Sequence, residues 1–434
     1  MAKESIGIGL IGLGIVGGQV AKVLLEKADI LAEQAGCPCV IRKIKVLSAD
    51  PDRPLAREIP AGLLTTDTDE FFAEPGIDIV VEAIGGENPA LDYLKRAISR
   101  GQHTVTSNKE VIAKHGTELH ALARKQGVGL RYGGSVGGGI PLIAPFKYDL
   151  VANRITSICA IINGTTNYIL TRMEREGIDF PSALKSAQEL GYAEANPAND
   201  IEGIDAHYKL AIMASLAFQA DVRPGKIYHE GISRLDSRDF RCARELGFTI
   251  KLLAIAKLIN NSIEVRVHPA FVPEDSLLAK VDGVHNAILV EGDLVGKVLF
   301  YGEGAGALAT SSAVTADVVS SAQDILHGVS DRAVRKSASA ISIKPMAEIE
   351  TRYYLRMNVA DQSGVLAQIS KVLGDNQISI SAVIQNEADI TAQVSEIMIT
   401  THPAHEKAIQ QALGELAKLG VVKEINNFIR VESD

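Results

Sequence analysis

The first third of the chain alternates strand-like runs with stretches whose apolar residues recur at helical spacing. The strand-like runs lie at residues 6–11, 44–47, 77–82 and 103–106. Strands that alternate with helices in this way form a parallel sheet with helices on both faces. The pattern therefore predicts a doubly wound α/β domain over residues 1–134.

The middle of the chain, residues 135–304, follows a less regular order. Strands are predicted at 155–162 and 264–270, and helices at 168–176 and 240–257. We expect a second domain of the α+β class here.

The C-terminal part of the chain is predicted to hold one returning helix, a linker and a small module. We expect the chain near residues 305–330 to return to the first domain as a helix that follows the glycine turn at 302–306. Residues 331–349 are polar, small and weakly periodic, as in a linker. Residues 350–434 then show the strand and helix order βαββαβ, which predicts a ferredoxin-like module.

The composition is that of a soluble globular protein. Of the 434 residues, 46% are hydrophobic and 22% are charged, and the formal net charge is −9. An acidic balance without a basic cluster argues against a nucleic-acid partner. Because we find neither a signal peptide nor a run of about 18 apolar residues, we expect a cytoplasmic protein with no membrane span. The four cysteines lack metal-ligand spacing and are expected to be reduced thiols.

A glycine-rich turn joins the first predicted strand to the first predicted helix. Gly12 permits the tight turn, Gly14 lets the backbone approach a pyrophosphate, and Gly17 allows the helix to pack closely on the strand. The phosphates of a dinucleotide would then bind at the helix N-terminus. We predict a dinucleotide site whose turn consists of Gly12, Leu13, Gly14, Ile15, Val16 and Gly17.

The end of the second predicted strand bears on the choice of dinucleotide. NAD-specific sites usually place an acidic residue there to bind the ribose hydroxyls, and Asp50 lies slightly late for that role. Ser48 and Arg53 are suited to bind a 2′-phosphate. The preference stays open, with a lean toward NADP or toward use of both dinucleotides.

A cluster of charged residues at 191–209 runs directly into an apolar helix. Asp205 and Lys209 are four residues apart and share one helix face, which continues into the apolar Ile212 and Leu216. One interpretation is an exposed salt bridge at the start of the helix. The other is a buried pair that carries chemistry, because lone ions are costly to bury.

Three further segments are candidates for ligand binding. Lys109 follows the fourth strand-like run, at a strand end where ligands bind in parallel sheets; an exposed loop lysine is the alternative. Residues 132–141 hold five glycines, which form either a flexible joint or a backbone that presents amides and carbonyls to a ligand or ion. The turn Gly164-Thr165-Thr166 precedes a helix and is suited to bind a carboxylate.

Five stretches together carry a resemblance to a known family. They are GLGIVG at 12–17, TSNK at 106–109, NGTTNY at 163–168, GYAEANPANDIEGIDAHYK at 191–209 and GEGAG at 302–306. In their order and spacing they closely resemble the homoserine dehydrogenase family, and the likeness covers the whole chain. The C-terminal module resembles an ACT domain, a small-molecule sensor found on enzymes of amino-acid biosynthesis.

The resemblance implies an activity and a fold. The activity is the NAD- or NADP-dependent oxidation of L-homoserine to L-aspartate 4-semialdehyde, with the reverse reduction serving threonine, methionine and isoleucine biosynthesis. The fold is a Rossmann domain followed by a catalytic and dimerisation domain built on a mixed sheet. We expect a homo-oligomer, either a dimer or a tetramer.

The resemblance also assigns roles to residues. Lys209 donates and accepts the proton at the substrate oxygen, with Asp205 beside it, and Lys109 lies between cofactor and substrate. Glu194 helps to hold the substrate amino group, and the turn at Thr165 lines the substrate site. The other residues assigned in this way are Gly164 and Asp200 for the substrate and Gly85, Ser107 and Gly304 for the cofactor.

One departure from the family concerns a cation site. Family members commonly carry a glutamate just before the glycine-rich run, in a site for a monovalent cation, whereas this chain has Gly133. The carbonyls of Val136 and Gly138 remain as ligands for Na⁺ or K⁺. Weaker binding is expected because one anionic ligand is missing.

For the ACT domain, the likeness suggests threonine, the end product, as a feedback inhibitor. Asp361, Gly364, Asn376 and Gln385 stand at turn and strand-edge positions that can meet the charged ends of an amino acid. The alternative is a purely structural dimerisation module.

Two other functions fit parts of the pattern. An aldehyde-oxidising dehydrogenase needs a cysteine nucleophile near the nicotinamide, and Cys159, the nearest candidate, lies inside an apolar strand. A non-catalytic sensor of NAD, amino acids or redox state can keep the same fold. Such a sensor has no need of Lys109, Glu194, Asp205 and Lys209, all of which are present.

Overall fold

A computed structural model describes residues 3–47, 59–329, 341–385 and 393–432 of the chain. Ser48 and Arg53, which bear on the choice of dinucleotide, lie outside the described residues, as does much of the predicted linker.

The first sheet consists of six parallel strands, which are β1 (Ile6–Ile11), β2 (Cys39–Lys45), β3 (Leu64–Thr65), β4 (Ile79–Glu82), β5 (His103–Thr106) and β6 (Leu130–Arg131). Their order is β3-β2-β1-β4-β5-β6. This order is that of dinucleotide-binding domains, in which the ligand lies where the strand order reverses, here between β1 and β4. The predicted doubly wound fold is confirmed.

Five helices connect these strands or flank them: α1 (Ile15–Glu26), α2 (Ala28–Ala35), α3 (Thr68–Ala73), α4 (Ala90–Ser99) and α5 (Lys109–Gln126). Polar side chains set where two of them begin. The Asp67 carboxylate accepts hydrogen bonds from the first amides of α3, and the Asn108 amide oxygen accepts one from the Val111 N–H of α5. Glycines with positive φ, Gly36 and Gly127, end α2 and α5.

The remaining strands belong to the middle and C-terminal parts of the chain. They are β7 (Ile155–Ile161), β8 (Tyr228–His229), β9 (Phe248–Ile259), β10 (Ser262–Pro273), β11 (His285–Gly292), β12 (Gly296–Glu303), β13 (Ser342–Ile343), β14 (Glu350–Ala360), β15 (Ile380–Gln385), β16 (Val394–Thr401), β17 (Ala404–His405) and β18 (Val422–Val431). The helices are α6 (Gly164–Glu176), α7 (Phe180–Glu189), α8 (Ala198–Ile201), α9 (Ile204–Phe218), α10 (Ser237–Glu245), α11 (Ala307–His327), α12 (Val365–Asp375) and α13 (Glu406–Leu416).

The chain divides into two compact units. The first unit consists of Met1–Ile155, Tyr208–Gly225 and Val290–Ala340, and the second of Thr156–His207, Lys226–Leu289 and Ile341–Asp434. The helix α9 begins in the second unit and continues into the first. The domain limits predicted from the sequence stay a prediction.

The apolar core of the first unit combines residues of its first strand, β1, with residues of its last helix, α11. Ile8 and Leu10 of β1 and Val81 of β4 are fully buried, and Val314 and Val318 of α11 lie in the same apolar cluster. The strands of this sheet are apolar on both faces because helices cover both. The helix α11 thus packs against the sheet that carries the glycine turn.

The second unit holds a mixed sheet that continues into the C-terminal module, in the order β11-β7-β9-β10-β18-β14-β16-β15. Its last four strands have the order expected of a ferredoxin-like module, and α12 and α13 pack on their apolar face. The strand β18 runs parallel to β10 through the pairs Ala270 with Arg430 and Phe271 with Val431. The mixed sheet and the ferredoxin-like module are therefore as predicted.

One predicted element is wrong. The apolar spacing predicts a helix at 240–257, but α10 ends at Glu245, Gly247 has a φ of +79°, and β9 follows as a strand. The strand pairs with β10 along its whole length, in a hairpin whose turn residues Asn260 and Asn261 have positive φ. Because β9 is buried on both faces, its sequence shows an unbroken apolar run that spacing alone does not distinguish from a buried helix.

Candidate active site

The glycine turn after β1 has the geometry of a dinucleotide site. Gly12 has a φ of +100°, and a Cβ on Gly17 would lie 2.1 Å from the Gly12 carbonyl oxygen. Among the described residues, apart from Gly14 and its two chain neighbours, none has a heavy atom within 4 Å of the place where a Cβ on Gly14 would stand. The helix α1 that follows has no side-chain cap, so its first amide groups are available to an anion. The turn therefore fits a pyrophosphate.

A buried carboxyl group organises the loop that carries Lys109. Glu82, at the end of β4, is fully buried and accepts hydrogen bonds from the Thr106 hydroxyl and, at 2.7 Å, from the Ile84 N–H. Burial raises the pKa of this carboxyl to about 7, although both hydrogen bonds act in the opposite direction. The Thr106 hydroxyl in turn accepts the Asn108 N–H at 2.9 Å. These bonds fix the residue that caps α5.

The cap itself joins two strand ends. The Asn108 side chain donates to the carbonyl oxygen of Gly86 at 2.7 Å, and Lys109 is the first, half-buried residue of α5. Ser107 is half-buried, and its N–H donates to the Glu82 carbonyl at 3.4 Å. Gly85 is exposed in the loop after β4. Among the predicted cofactor residues, Gly85, Ser107 and Lys109 thus follow adjacent strands at the carboxyl edge of the sheet, where the glycine turn also lies.

The glycine-rich segment 132–141 is packed against the turn at 302–306. A Cβ on Gly138, whose φ is +54°, would lie 2.7 Å from the carbonyl carbon and oxygen of Gly304. The Gly139 N–H donates to the Glu303 carbonyl at 3.2 Å. The glycines therefore allow two backbones to approach closely. This observation favours a backbone that presents amides and carbonyls to a ligand or ion over a flexible joint.

A carboxylate lies beside Gly133. The Gly133 N–H donates to the Asp317 carboxylate at 2.6 Å, and a Cβ on Gly133 would lie 3.0 Å from the same oxygen. Asp317 of α11 therefore brings a negative charge to the place where a side chain at position 133 would begin. Val136, the first predicted cation ligand, follows Gly133 closely in the sequence and is fully buried.

In the second unit, the side-chain amide of Asn163 binds two of the carboxylates that are predicted to belong to the site. The Asn163 side chain donates to Asp200 at 2.7 Å and to Asp205 at 2.9 Å. Its oxygen accepts the Thr166 N–H at 2.8 Å, so the same side chain also caps α6. A Cβ on the adjacent Gly164 would lie 2.5 Å from the Val284 carbonyl oxygen, so a side chain does not fit there.

The helix α9 carries the central charged pair. Asp205 is 5% exposed and Lys209 is 8% exposed, so neither belongs to the exposed salt bridge that the spacing also allowed. Tyr208, which precedes Lys209, lies under the Lys114 ammonium of α5, with 5.6 Å between the nitrogen and the ring centre. The helix α5, which begins at Lys109, and the helix α9, which carries Lys209, therefore contact each other within the first unit.

The loop before α8 is held by backbone contacts. The Thr165 hydroxyl donates to the Tyr192 carbonyl at 2.6 Å, and the Gln188 side chain donates to the Glu194 carbonyl at 3.1 Å. The Glu194 carboxylate itself is exposed. Thr165 thus ties the α6 turn to the loop that presents Glu194.

The four predicted effector contacts do not meet at one point of the ACT domain. Asp361 and Gly364 follow β14, and Gln385 ends β15, which runs parallel to β14 because both are antiparallel to β16. Asn376 lies at the other end of α12, a distance of about 16 Å for eleven residues. The Asn376 amide donates to Glu415 at 3.0 Å. Within one domain, three of the four residues lie at one edge of the module.

Comparisons with known proteins agree with this geometry. The homoserine dehydrogenase of Neisseria gonorrhoeae is 43% identical over 437 residues, which cover 99% of each chain. The chain belongs to the homoserine dehydrogenase family. Family models described as "Homoserine dehydrogenase, NAD binding domain", "Homoserine dehydrogenase" and "ACT domain" match residues 12–133, 141–319 and 353–421.

Solved structures of the homoserine dehydrogenase family share the fold. The crystal structure of the enzyme from Thiobacillus denitrificans matches with a TM-score of 0.93 and 42% identity over 99% of this chain and 98% of that one. A hyperthermophilic archaeal homoserine dehydrogenase mutant, solved in complex with NADPH, matches with a TM-score of 0.63 and 27% identity over 73% of this chain and 97% of that one. The protein is an oxidoreductase with an NAD(P)-binding domain, and the non-catalytic sensor is not favoured.

Sequence reasoning missed two residues of this homoserine dehydrogenase fold that organise the candidate site. Asn163 stands inside a quoted motif, but its contacts with Asp200 and Asp205 lie 37 and 42 residues away. Glu82 ends an apolar strand, and an acidic residue in that position is a usable signal of a buried, hydrogen-bonded carboxyl.

Proposed function

We propose that the protein catalyses the reversible oxidation of L-homoserine to L-aspartate 4-semialdehyde with NADP or NAD. The observation that carries this proposal is the buried pair Asp205 and Lys209 on α9, one helical turn apart. A buried lysine needs a reason to be there, and proton transfer at a substrate oxygen is one. Membership of the homoserine dehydrogenase family supports this choice of substrate.

The dinucleotide is held by the first unit in this proposal. The turn at residues 12–17 and the first amides of α1 bind the pyrophosphate, while Gly85, Ser107 and Gly304 border the rest of the molecule. When bound, the oxidised dinucleotide accepts the hydride from the carbinol carbon of L-homoserine. The choice between NADP and NAD depends on Ser48 and Arg53, and the archaeal relative solved with NADPH supports a lean toward NADP.

The chain's own residues then move the proton and hold the substrate. Lys209 takes the proton from the substrate hydroxyl as the hydride leaves, and it returns the proton in the reverse reaction. Asp205 orients the turn of α9 that carries Lys209, and a hydrogen bond from Asn163 holds Asp205 in place. Lys109 contacts both cofactor and substrate.

The two charged ends of the amino acid need opposite partners. The carboxylates of Glu194 and Asp200 suit the substrate ammonium, since opposite charges attract most strongly where water is excluded. The N-terminal turn of α6, with Gly164 and Thr165, suits the substrate carboxylate. The proton acceptor and the substrate clamps thus come from four short segments of the chain.

We further propose a monovalent cation, Na⁺ or K⁺, at the glycine-rich segment. The carbonyls of Val136 and Gly138 are its ligands, and the Asp317 carboxylate beside Gly133 supplies negative charge in place of the family glutamate. The cation would stiffen the backbone that packs on the turn at 302–306.

The ACT domain is proposed to bind threonine and to lower activity as its concentration rises. Asp361, Gly364 and Gln385, at one edge of the module, are the contacts within one domain, and Asn376 of a second copy is the fourth. A homo-oligomer, a dimer or a tetramer, would bring two copies together. The pathway served is the synthesis of threonine, methionine and isoleucine, in the cytoplasm. Among the described residues, no helix is long and apolar enough to cross a bilayer.

The experiment is the initial rate of reduction of NAD⁺ and of NADP⁺ by L-homoserine, each with and without millimolar L-threonine. Turnover with either dinucleotide supports the reaction, and the ratio of the two rates gives the preference. Suppression by threonine supports the ACT assignment. Folded protein that turns over neither dinucleotide would refute the proposed activity.

A further inference from the structure

The last strand of the ACT domain places a buried arginine against the catalytic sheet. Arg430 of β18 is 1% exposed, and its guanidinium forms two hydrogen bonds with the Glu406 carboxylate, at 2.6 and 2.9 Å. A third nitrogen donates to the Glu230 carboxylate at 2.9 Å. Glu406 belongs to the ACT domain and Glu230 follows β8, so one desolvated cation is shared between the two parts of the second unit.

The segment that carries Glu230 is packed on the residues just before α9. The Ile232 N–H donates to the Ile201 carbonyl at 2.8 Å, and the Ser233 hydroxyl donates to Glu202 at 3.2 Å. A Cβ on Gly231 would lie 2.2 Å from the Ile201 carbonyl oxygen, so the two backbones are in close contact. Residues 228–233, which we name the bridging segment, therefore touch the ACT domain at one end and the approach to α9 at the other.

The bridging segment also touches α9 directly. The ring of His229 stacks on the ring of His207, with 4.7 Å between the ring centres and 16° between the planes. His207 is buried on α9 between Asp205 and Lys209. The stack therefore joins the bridging segment to the turn of α9 in which Lys209 follows His207.

We propose that the bridging segment is a positioning element through which the ACT domain holds the start of α9, with Glu230 and His229 as its positioning residues. The proposal rests on the proposed function, because it assigns a control to the same site. Misplacement of a reacting group by about 1 Å can lower a rate by as much as about a hundredfold, so a small shift of α9 is enough to regulate turnover.

The test compares two variants, each of which replaces a glutamate hydrogen-bonded to a buried arginine by glutamine, an amide of equal size. Glu230→Gln weakens the contact of Arg430 with the bridging segment. Glu396→Gln weakens a contact of Arg356 at 3.2 Å that lies within the ACT sheet, and it serves as the matched control. Both variants are assayed as full-length protein in single turnovers, with enzyme in excess over L-homoserine and with the dinucleotide that the wild type uses.

The expected result is a rate constant for nicotinamide reduction about tenfold lower in Glu230→Gln and within about twofold of wild type in Glu396→Gln. At enzyme concentrations that saturate the observed rate, this rate constant does not depend on the fraction of enzyme that is folded. The KM for the dinucleotide should not change, because the glycine turn belongs to the first unit. Rate constants that are equal in the two variants would overturn the proposal.

A second pair of variants addresses the histidine stack. His229 is exposed, so its replacement spares the core. His229→Ala should lower the single-turnover rate constant, and His229→Phe, which keeps a flat ring against His207, should restore most of it. A wild-type rate constant in His229→Ala would contradict the positioning role. Absence of turnover in the wild type itself would refute the proposed function instead.

Discussion

Replacing Glu82 by glutamine should remove a pH dependence of stability that this carboxyl imposes. Glu82 is fully buried at the end of β4, and its pKa is raised from an ordinary 4.5 to about 7 by loss of water. Between these two pH values the folded protein keeps a proton that the unfolded chain has released. Stability from this group is therefore complete below pH 4.5 and is lost as the pH rises through 7.

The magnitude follows from the two pKa values. The difference between these two pKa values corresponds to about 3 kcal/mol, most of which falls between about pH 5 and pH 8. Other groups titrate in the same range. The pKa of His268 is held well below its ordinary value by burial, which makes stability rise with pH. Because both proteins contain His268, the difference between wild type and Glu82→Gln isolates Glu82.

The assay is denaturant unfolding of both proteins at a series of pH values, with calorimetric midpoints as a second measure. Wild type should lose about 2 to 3 kcal/mol relative to Glu82→Gln from about pH 5 to pH 8. An infrared band of a protonated carboxyl should be present in wild type at about pH 6, absent in the variant, and lost from wild type by about pH 8. A stability difference that stays constant over this range would refute the reasoning.

Two further predictions concern the substrate side and the glycine-rich segment. Asn163→Asp keeps an acceptor for the Thr166 N–H but replaces the donor to Asp200 and Asp205, so the kcat/KM for L-homoserine should fall by at least about tenfold. Asp179→Ala, which removes the cap of α7 instead, should cost about 1 kcal/mol of stability and leave kcat/KM unchanged; equal kcat/KM in the two variants would show that the Asn163 contacts are only structural. Gly138→Ala should destabilise the protein by more than about 1 kcal/mol and raise the KM for the dinucleotide, because its Cβ would lie 2.7 Å from the Gly304 backbone at a φ of +54°. Gly374→Ala in α12, where no other part of the described chain beyond the helix's own nearby backbone lies within 4 Å of the added Cβ, should be neutral or slightly stabilising, and a harmless Gly138→Ala would contradict the close approach.

The parts of the molecule that sequence predicted are those in which local chain geometry decides the structure. The turn at Gly12, Gly14 and Gly17 needs three glycines at fixed spacing, and the pair Asp205 and Lys209 needs only the periodicity of a helix. The ACT module was predicted because apolar residues alternate along β14, at Leu355, Met357 and Val359, although Arg356 between the first two is buried as well.

The parts that sequence did not predict depend on contacts between distant residues. The strand β9 is buried on both faces, so its apolar run resembles a helix until the pairing with β10 is known. Asn163 was visible as a cap, but its second role depends on where α8 and α9 fold back. The pKa of Glu82 is raised because the surrounding chain excludes water from its carboxyl group. The residues next to Glu82 in the sequence give no sign of that burial.

The measurement that tests the central claim most directly is the turnover of L-homoserine by Lys209→Ala, with dinucleotide affinity measured separately. If Lys209 carries the proton, turnover should fall by about 10²–10⁴ while the dinucleotide Kd stays unchanged. Lys185→Ala, which removes an exposed lysine paired with Glu189 on α7, should turn over at the wild-type rate. Turnover of Lys209→Ala within about threefold of wild type would contradict the assignment of Lys209 as the proton acceptor.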